Sequence, residues 1–183
     1  MTYSADNLFI VTGAPGAGKT TLLDAAARRG IRVGQEAARA VIQSQVAIDG
    51  PGQQLRDAAM FAELMLDRDI QSWQGLRGHK GSVLCDRGIP DLVAYARMMK
   101  LVDDAHFHRA AMLYRYNRLV FFAPPWRDIF ATDAERTEGW EHAQRIYEPM
   151  RDVYVELGYR IVELPKAPVA ERLEFVLDEI ARA

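Results

Sequence analysis

The chain has 183 residues, with 23 Lys and Arg against 25 Asp and Glu, a formal net charge of -2 and a single cysteine. This length suits one domain with a sizeable hydrophobic core. The near-neutral charge disfavours a protein that coats nucleic acid or an anionic membrane, because those partners favour a basic surface. One cysteine excludes an internal disulfide and a zinc site built from cysteine pairs.

The amino-terminal segment has neither a basic start nor an apolar stretch of signal-peptide length. No run in the sequence approaches the roughly 20 apolar residues that span a bilayer. We therefore expect a cytoplasmic protein that works on a small molecule or with a protein partner, and not at a membrane.

Short apolar runs alternate with helical segments in the first half of the chain. In chain order, the predicted elements are a strand from Asn7 to Thr12, a helix from Lys19 to Arg29, a strand from Ile31 to Gly34, a helix from Gln35 to Gln43 and a long amphipathic helix from about Gln53 to Trp73.

The same alternation continues through the second half of the chain. The predicted elements are a strand from Ser82 to Cys85, helices from Pro90 to Lys100 and Asp103 to Tyr116, a strand from Arg118 to Ala123, a helix from about Ala134 to Leu157, a strand from Tyr159 to Leu164 and a helix from Pro168 to Ala181. Strands that alternate with helices predict right-handed crossovers and a parallel sheet covered on both faces. The expected fold is a three-layer α/β/α sandwich with a five-stranded, mostly parallel sheet.

The segment GAPGAGKT, from Gly13 to Thr20, matches the phosphate-loop pattern G-x-x-x-x-G-K-[ST] and lies between a predicted strand and a predicted helix. Glycines let successive backbone N–H groups point at a phosphate, and the positive end of the following helix adds to the attraction. Lys19 supplies a charge between the β- and γ-phosphates of ATP, and the Thr20 hydroxyl is placed to coordinate Mg²⁺. The alternative is an accidental glycine-rich turn.

We predict that the whole loop and the residue after it bind the nucleotide. These residues are Gly13, Ala14, Pro15, Gly16, Ala17, Gly18, Lys19, Thr20 and Thr21.

Asp86 follows the third predicted strand, where a phosphate-loop enzyme needs a carboxylate near the metal. A turn or helix-capping aspartate is the alternative. The next residue is Arg87, whereas phosphate-loop ATPases that drive motion commonly have a water-orienting Glu there. This difference favours phosphoryl transfer to a bound acceptor over hydrolysis.

An Asp-x-x-Gly pattern from Asp49 to Gly52 resembles the switch loop of a GTPase. No Asn-Lys-x-Asp motif accompanies it, because neither Asn7 nor Asn117 is followed by Lys. We therefore interpret the segment from Asp49 to Gly52 as an ordinary turn.

Four segments together resemble a known family: GAPGAGKTTL, Glu36–Arg39, Cys85–Asp91 and the Asp133-x-x-Arg136 motif. They are similar to the small predicted P-loop ATPases that are grouped with the ribosylnicotinamide kinase domain and, more distantly, to nucleoside and nucleotide kinases. The resemblance covers essentially the whole chain in order and length. It implies a P-loop NTPase fold in one domain, 1–183, with a helical lid at about 126–150 and with ATP and Mg²⁺ as cofactors.

The resemblance also implies roles for residues beyond the loop. Glu36 matches the acidic residue that lies beside the acceptor hydroxyl and acts as general base; the alternative is a glutamate favoured by the start of a helix. Arg39 would share its helical face and hold Glu36 or the substrate. Arg87 matches an arginine near the acceptor, and Asp91 either stabilises the start of its helix or contacts the substrate.

Arg127 and Arg136 flank the start of the late charged helix, where the related kinases have their lid. Lid arginines neutralise charge on the phosphoryl group during transfer, so we assign Arg136 a catalytic role. The alternative is a solvated helix with pairs such as Glu141 and Arg145. Five further residues either line an acceptor pocket or belong to the core; they are Met60, Phe61, Met65, Met98 and Met99.

The predicted function is that of a Mg²⁺-dependent kinase that transfers the γ-phosphate of ATP to a small nucleoside-like or nucleotide acceptor. Lys19, Glu36, Asp86, Arg87 and Arg136 would be the catalytic residues. The alternative is an ATP-binding and ATP-hydrolysing regulatory switch without a small-molecule acceptor. An RNA-end kinase is a third possibility, and it would bind its substrate with a steep salt dependence.

Overall fold

A parallel five-stranded sheet lies at the centre of the fold in the computed structural model of the chain, which describes residues 2–130 and 139–183. The strands in chain order are β1 (Tyr3–Ala5), β2 (Leu8–Gly13), β3 (Arg32–Gly34), β4 (Val83–Asp86), β5 (Tyr114–Tyr116), β6 (Leu119–Ala123) and β7 (Arg160–Glu163). The central sheet has the order β3-β4-β2-β6-β7, and every neighbouring pair is parallel. The carboxyl ends of these five strands therefore share one edge of the sheet.

Helices connect the strands and cover the sheet. They are α1 (Lys19–Arg28), α2 (Ala37–Ala47), α3 (Ala58–Leu76), α4 (Ile89–Met99), α5 (Ala105–Leu113), α6 (Trp140–Glu156) and α7 (Val169–Ala181). Helix α1 packs against α7, whereas α4 packs against α3, α5 and α6. The predicted three-layer sandwich is confirmed. Within the described ranges, no helix is long and apolar enough to cross a membrane.

The central strands β2 and β6 are buried along their whole length. Their sequences, LFIVTG and LVFFA, are nearly continuous apolar runs, which is typical of parallel strands covered on both faces. The edge strand β7 keeps all four residues partly or fully exposed. Burial therefore concentrates at the strands that carry the phosphate loop and its neighbour.

The helix predicted from Asp103 to Tyr116 is wrong over its last three residues. Helix α5 ends at Leu113, and Tyr114–Tyr116 forms β5, which pairs parallel with β1. Aromatic residues favour strands, and the Tyr114 ring packs edge-on against Trp73 with 5.3 Å between centroids. Tertiary packing of the aromatic side chains has overridden the helical pattern at this point.

Candidate functional site

The phosphate loop joins β2 to α1 and takes its shape from three glycines. Gly13, Gly16 and Gly18 have φ angles of 115°, 69° and 75°, in the left-handed region that glycine adopts without steric cost. Gly13 also lies against β6: a Cβ atom there would be 2.3 Å from the backbone oxygen of Ala123. The Ala14 N–H donates a hydrogen bond to that same oxygen at 2.9 Å. Strand β6 thus fixes the start of the loop.

We expect Gly13→Ala to lower the free energy of unfolding by at least about 3 kcal/mol, because it combines a forbidden φ with a backbone clash. Gly30→Ala is the matched control, since Gly30 has a φ of 80° but nothing within 4 Å of its Cβ position. The control should lose only about 1 kcal/mol. Urea denaturation of both variants checks this, and equal losses would contradict the close-contact explanation.

Lys19 begins α1 and is almost fully buried, with 4% of its surface exposed. Its ammonium group donates hydrogen bonds to the backbone oxygens of Ala14 at 2.7 Å and Gly13 at 3.3 Å. Helix α1 has no side-chain cap at its start, so its first N–H groups and its positive dipole end face the loop. Thr20 and Thr21 follow in the exposed first turn. Lysine, loop and helix end together present the cation and N–H donors that an anion site requires.

Arg87 links two of the acidic residues that the sequence singled out. Its Nε donates to Glu36 at 3.1 Å and its Nη1 donates to Asp91 at 3.0 Å. Arg87 has a φ of 67°, a left-handed conformation that costs a non-glycine residue of the order of 1 kcal/mol or more. Its backbone N–H donates to Val11 of β2 at 3.0 Å. The predicted residues Glu36, Arg87 and Asp91 therefore meet in one cluster.

The Glu36 carboxylate is positioned by this ion pair and not by its helix. Glu36 immediately precedes α2 and makes no side-chain capping hydrogen bond, although it is only 7% exposed. Burial by itself would lower the pKa of the Arg87 guanidinium, but the carboxylates of Asp91, Glu36 and Asp86 outweigh burial and raise that pKa. Arg87 thus supplies a permanent positive charge that orients Glu36.

Asp91 connects the cluster to the core. One carboxylate oxygen accepts from the Thr12 hydroxyl and from Arg87; the other accepts from the Gly88 N–H at 3.0 Å and from the Tyr154 hydroxyl. The Gly88 contact caps the start of α4, the helix-stabilising role foreseen from the sequence. A contact between Asp91 and the substrate stays a prediction.

Asp86 ends β4 beside the phosphate loop. In the register of the sheet it pairs with Val11 of β2, two residues before the loop begins at Gly13. Its side chain is half-buried. The described residues contain no group of three or more His, Cys, Asp or Glu side chains that could hold a metal ion.

A cavity of about 200 Å³ extends from Pro15 of the loop past Glu36 and Arg87. Helices α2, α3, α4 and α6 build its walls, which are mainly apolar; the aromatic and thioether side chains among them are Phe61, Met65, Tyr95, Met98, Met99 and Met150. Phe61 and Met65 belong both to the core and to the pocket wall, which the sequence left as alternatives. Met98 and Met99 also line the pocket, whereas Met60 is exposed and does not. We call this cavity the acceptor-side pocket, because it lies beyond the loop on the Glu36 side.

Asp69 also lines the acceptor-side pocket, and the sequence analysis missed it. It lies on α3, is 9% exposed, and makes no hydrogen bond or ion pair with the described part of the chain. Met65, Asp69 and Trp73 are spaced by four residues and are all buried, so they share one helical face. A carboxylate on the apolar face of an amphipathic helix was the available signal.

Burial raises the pKa of the Asp69 carboxyl well above its ordinary value. The negative charges of Asp91 and Glu36 raise it further, and Arg87 acts in the opposite direction. A second polar group lies nearby: the Tyr95 hydroxyl is buried without a hydrogen-bond partner among the described residues, and burial raises its pKa to about 12. Within the described ranges, the pocket therefore offers the Tyr95 hydroxyl as a buried polar group without a hydrogen-bond partner, beside the Asp69 carboxyl.

The raised pKa of Asp69 predicts a pH-dependent stability. Between its unfolded value, about pH 4, and its raised folded value, the folded state binds more protons than the unfolded state, so this residue lowers stability as pH rises. We expect Asp69→Asn to gain in melting temperature relative to the wild type from pH 4 to pH 8. Asp67→Asn, on the exposed side of the same helix, is the control. A wild-type-to-variant difference that is constant with pH would contradict the assignment.

The remaining arginines of the predicted site are Arg39, Arg127 and Arg136. Arg39 is half-buried near the start of α2, and its predicted contact with Glu36 or substrate stays a prediction. Arg127 is exposed and its guanidinium lies 5.3 Å from the centre of the Trp140 ring. Arg136 lies outside the described residues, as do the other residues of 131–138 in the predicted lid. The described parts of the lid include the short 3-10 helix Arg127–Ile129 and the start of α6.

Several solved structures share this fold at low sequence identity. A deoxyadenosine kinase from M. mycoides superposes with a TM-score of 0.70 at 11% identity, over 96% of this chain and all of that one. The NadR protein in complex with NR superposes with a TM-score of 0.73 at 19% sequence identity, over 97% of this chain and 51% of that chain. Thymidylate kinase from Ehrlichia chaffeensis superposes with a TM-score of 0.63 at 15% sequence identity, over 96% of this chain and 98% of that chain.

These likenesses confirm the P-loop kinase type of fold that the sequence predicts. Among curated proteins, no sequence matches this chain significantly. A family model described as an AAA domain matches residues 8–172, which include the phosphate loop, the Arg87 cluster and all five strands of the central sheet. The chain therefore belongs to this AAA domain family of P-loop proteins.

Proposed function

We propose that the protein is a Mg²⁺-dependent kinase that transfers the γ-phosphate of ATP to a small acceptor in the acceptor-side pocket. The observation that carries the proposal is the position of that pocket. It opens on Pro15 of the phosphate loop and has Glu36 and Arg87 at the junction. Phosphoryl transfer to an acceptor needs a site for the phosphates, a carboxylate beside the acceptor and a chamber that holds the acceptor. The loop, Glu36 and the pocket lie next to one another in that order.

The nucleotide half of the site consists of the loop, Lys19 and the start of α1. Here the backbone N–H groups and the ammonium would hold the phosphates of ATP. The Thr20 hydroxyl and the Asp86 carboxylate are oxygen donors, which suit Mg²⁺, an ion that commonly takes its other ligands from phosphates and water. When bound, Mg²⁺ would neutralise charge that develops on the phosphates.

The acceptor half centres on Glu36. As the acceptor hydroxyl attacks, its oxygen bonds to the γ-phosphorus, the bond from that phosphorus to the bridging oxygen of ADP breaks, and the hydroxyl proton passes to the Glu36 carboxylate. Arg87 holds the carboxylate at the junction through the 3.1 Å contact. Apolar walls exclude water from the pocket, which favours transfer to the acceptor over hydrolysis.

The charges around the pocket favour a nucleoside-like acceptor over a nucleotide. Glu36, Asp69 and Asp91 line it together with Arg87, whose guanidinium is engaged by two of these carboxylates. A phosphate on the acceptor would face this acidic cluster at a cost. The deoxyadenosine kinase and the NadR–NR complex among the structural neighbours support a nucleoside-like acceptor on grounds of fold alone.

An acceptor panel tests the proposed function. Purified protein with Mg²⁺ and ATP is offered single nucleosides, ribosylnicotinamide and nucleoside monophosphates, and ADP formation is followed in a coupled assay. We expect a nucleoside or ribosylnicotinamide to raise the rate well above the rate without acceptor. If no compound in the panel raises it, the kinase proposal fails and the regulatory switch becomes the better account.

A further inference from the structure

Arg172 is a buried arginine beside the phosphate loop that neither the motif nor the predicted mechanism uses. It is the fourth residue of α7 and is only 3% exposed. Its Nη1 atom lies 2.8 Å from the position that a Cβ atom on Gly18 would occupy, and Ile129 borders the same position at 3.0 Å. The guanidinium therefore lies against the backbone of the loop, one residue before Lys19.

No group in the described part of the chain compensates the charge of Arg172. Its guanidinium makes no hydrogen bond or ion pair there, and its Nε is fully buried without a hydrogen-bond partner. Burial lowers the pKa of Arg172, whereas Arg87 has neighbouring carboxylates that raise its pKa. Leaving a buried cation without a partner is strongly destabilising. Arg172 therefore lowers the stability of the folded protein unless an anion binds next to it.

The approach of Arg172 to the loop indicates which anion fits. Helix α7 packs against α1, whereas the acceptor-side pocket is lined by α2, α3, α4 and α6. Arg172 thus reaches the loop from the side away from the acceptor. A guanidinium presents planar paired donors that match phosphate oxygens, and the adjacent loop and helix start already form an anion site.

We propose that Arg172 contacts the bound nucleotide by donating hydrogen bonds from its guanidinium to the phosphate chain of ATP on the phosphate loop. This inference rests on the proposed function to the extent that the loop binds ATP. It adds a second cation, from the opposite end of the sequence, to the charge that Lys19 supplies. It also explains the buried guanidinium: the charge is a cost in the free protein that the nucleotide removes.

The proposal predicts effects of opposite sign on stability and binding. Arg172→Met keeps an unbranched side chain of similar length and removes the uncompensated charge. We expect the ligand-free variant to melt no lower than the wild type. Its Kd for ATP should rise by about 10-fold or more, because hydrogen bonds to charged groups contribute about 1.5–3 kcal/mol. Arg172→Lys retains the charge without the paired donors, so its Kd for ATP should lie between those of the wild type and Arg172→Met.

Calorimetric titration measures these affinities with two probes, ATP and inorganic tripolyphosphate, which lacks the base and the ribose. Both should weaken by a similar factor in Arg172→Met if the contact is to phosphate. Arg29→Met is the matched control, because it removes an exposed arginine that pairs with Glu174 of α7, the helix that carries Arg172. ATP binding should not change in this control. If Arg172→Met does not fold, the Arg172→Lys comparison carries the test.

The outcomes separate this inference from the proposed function. If the wild type and both Arg172 variants bind ATP equally, the role of Arg172 is overturned while nucleotide binding by the loop stands. If the Arg172 variants bind ATP more weakly but bind tripolyphosphate as the wild type does, the contact to phosphate is overturned. If the folded wild type binds neither probe, the proposed function and this inference both fall.

Discussion

Glu36→Gln should lower phosphoryl transfer by about 10²- to 10⁴-fold, the usual contribution of a general base, and leave ATP affinity unchanged. Gln keeps the shape of the side chain but cannot accept the proton of the acceptor hydroxyl. Asp91 remains to pair with Arg87, so the cluster retains one of its two ion pairs. The measurements are kcat with a productive acceptor and, separately, the Kd for ATP by titration.

Glu63→Gln is the control for this variant, because Glu63 is an exposed glutamate on α3. It removes the same charge without touching the pocket and should leave kcat as it is. Full turnover in Glu36→Gln would show that another group takes the proton. A parallel loss of ATP binding would show that Glu36 belongs to the nucleotide half of the site.

Lys19→Met should reduce turnover by about 10³-fold or more, since it removes a preorganised charge from a largely buried position. Unlike Glu36→Gln, it should also weaken ATP binding, because the ammonium lies within the loop and contacts two of its backbone oxygens. The measurements are again kcat and the Kd for ATP.

The exposed Lys80 offers a matched control, Lys80→Met, which should behave as the wild type. If Lys19→Met binds ATP normally and turns over at an undiminished rate, the loop is not a working phosphate site. Together, the Lys19 and Glu36 variants divide the site into a nucleotide half and an acceptor half with different kinetic signatures.

The five-stranded sheet was predictable because its strands are apolar runs bounded by turn residues, and because strands alternate with helices. The β1–β5 pair was not, since each strand has three residues and their pairing depends on ring contacts among distant aromatic residues such as Tyr3 and Tyr114. A prediction made from a short stretch of sequence cannot detect contacts of that kind.

The site divides in the same way. Its loop could be predicted from Gly13 to Thr20 because the residues that cradle a phosphate are contiguous. Glu36 and Arg87 came from family resemblance, and their 3.1 Å contact joins residues that are far apart in the chain. Asp69 and Arg172 carry no motif; each lies within an amphipathic helix, and only packing brings one to the acceptor-side pocket and the other to Gly18.

The fate of the γ-phosphate tests the central claim most directly. ATP labelled at that position is incubated with the wild type and Mg²⁺, with and without a nucleoside or ribosylnicotinamide, and the label is followed into products. The account predicts that label appears on the acceptor, and that Glu36→Gln slows this transfer by about 10²- to 10⁴-fold. Label that appears only as inorganic phosphate, at the same rate with and without acceptor, would contradict it.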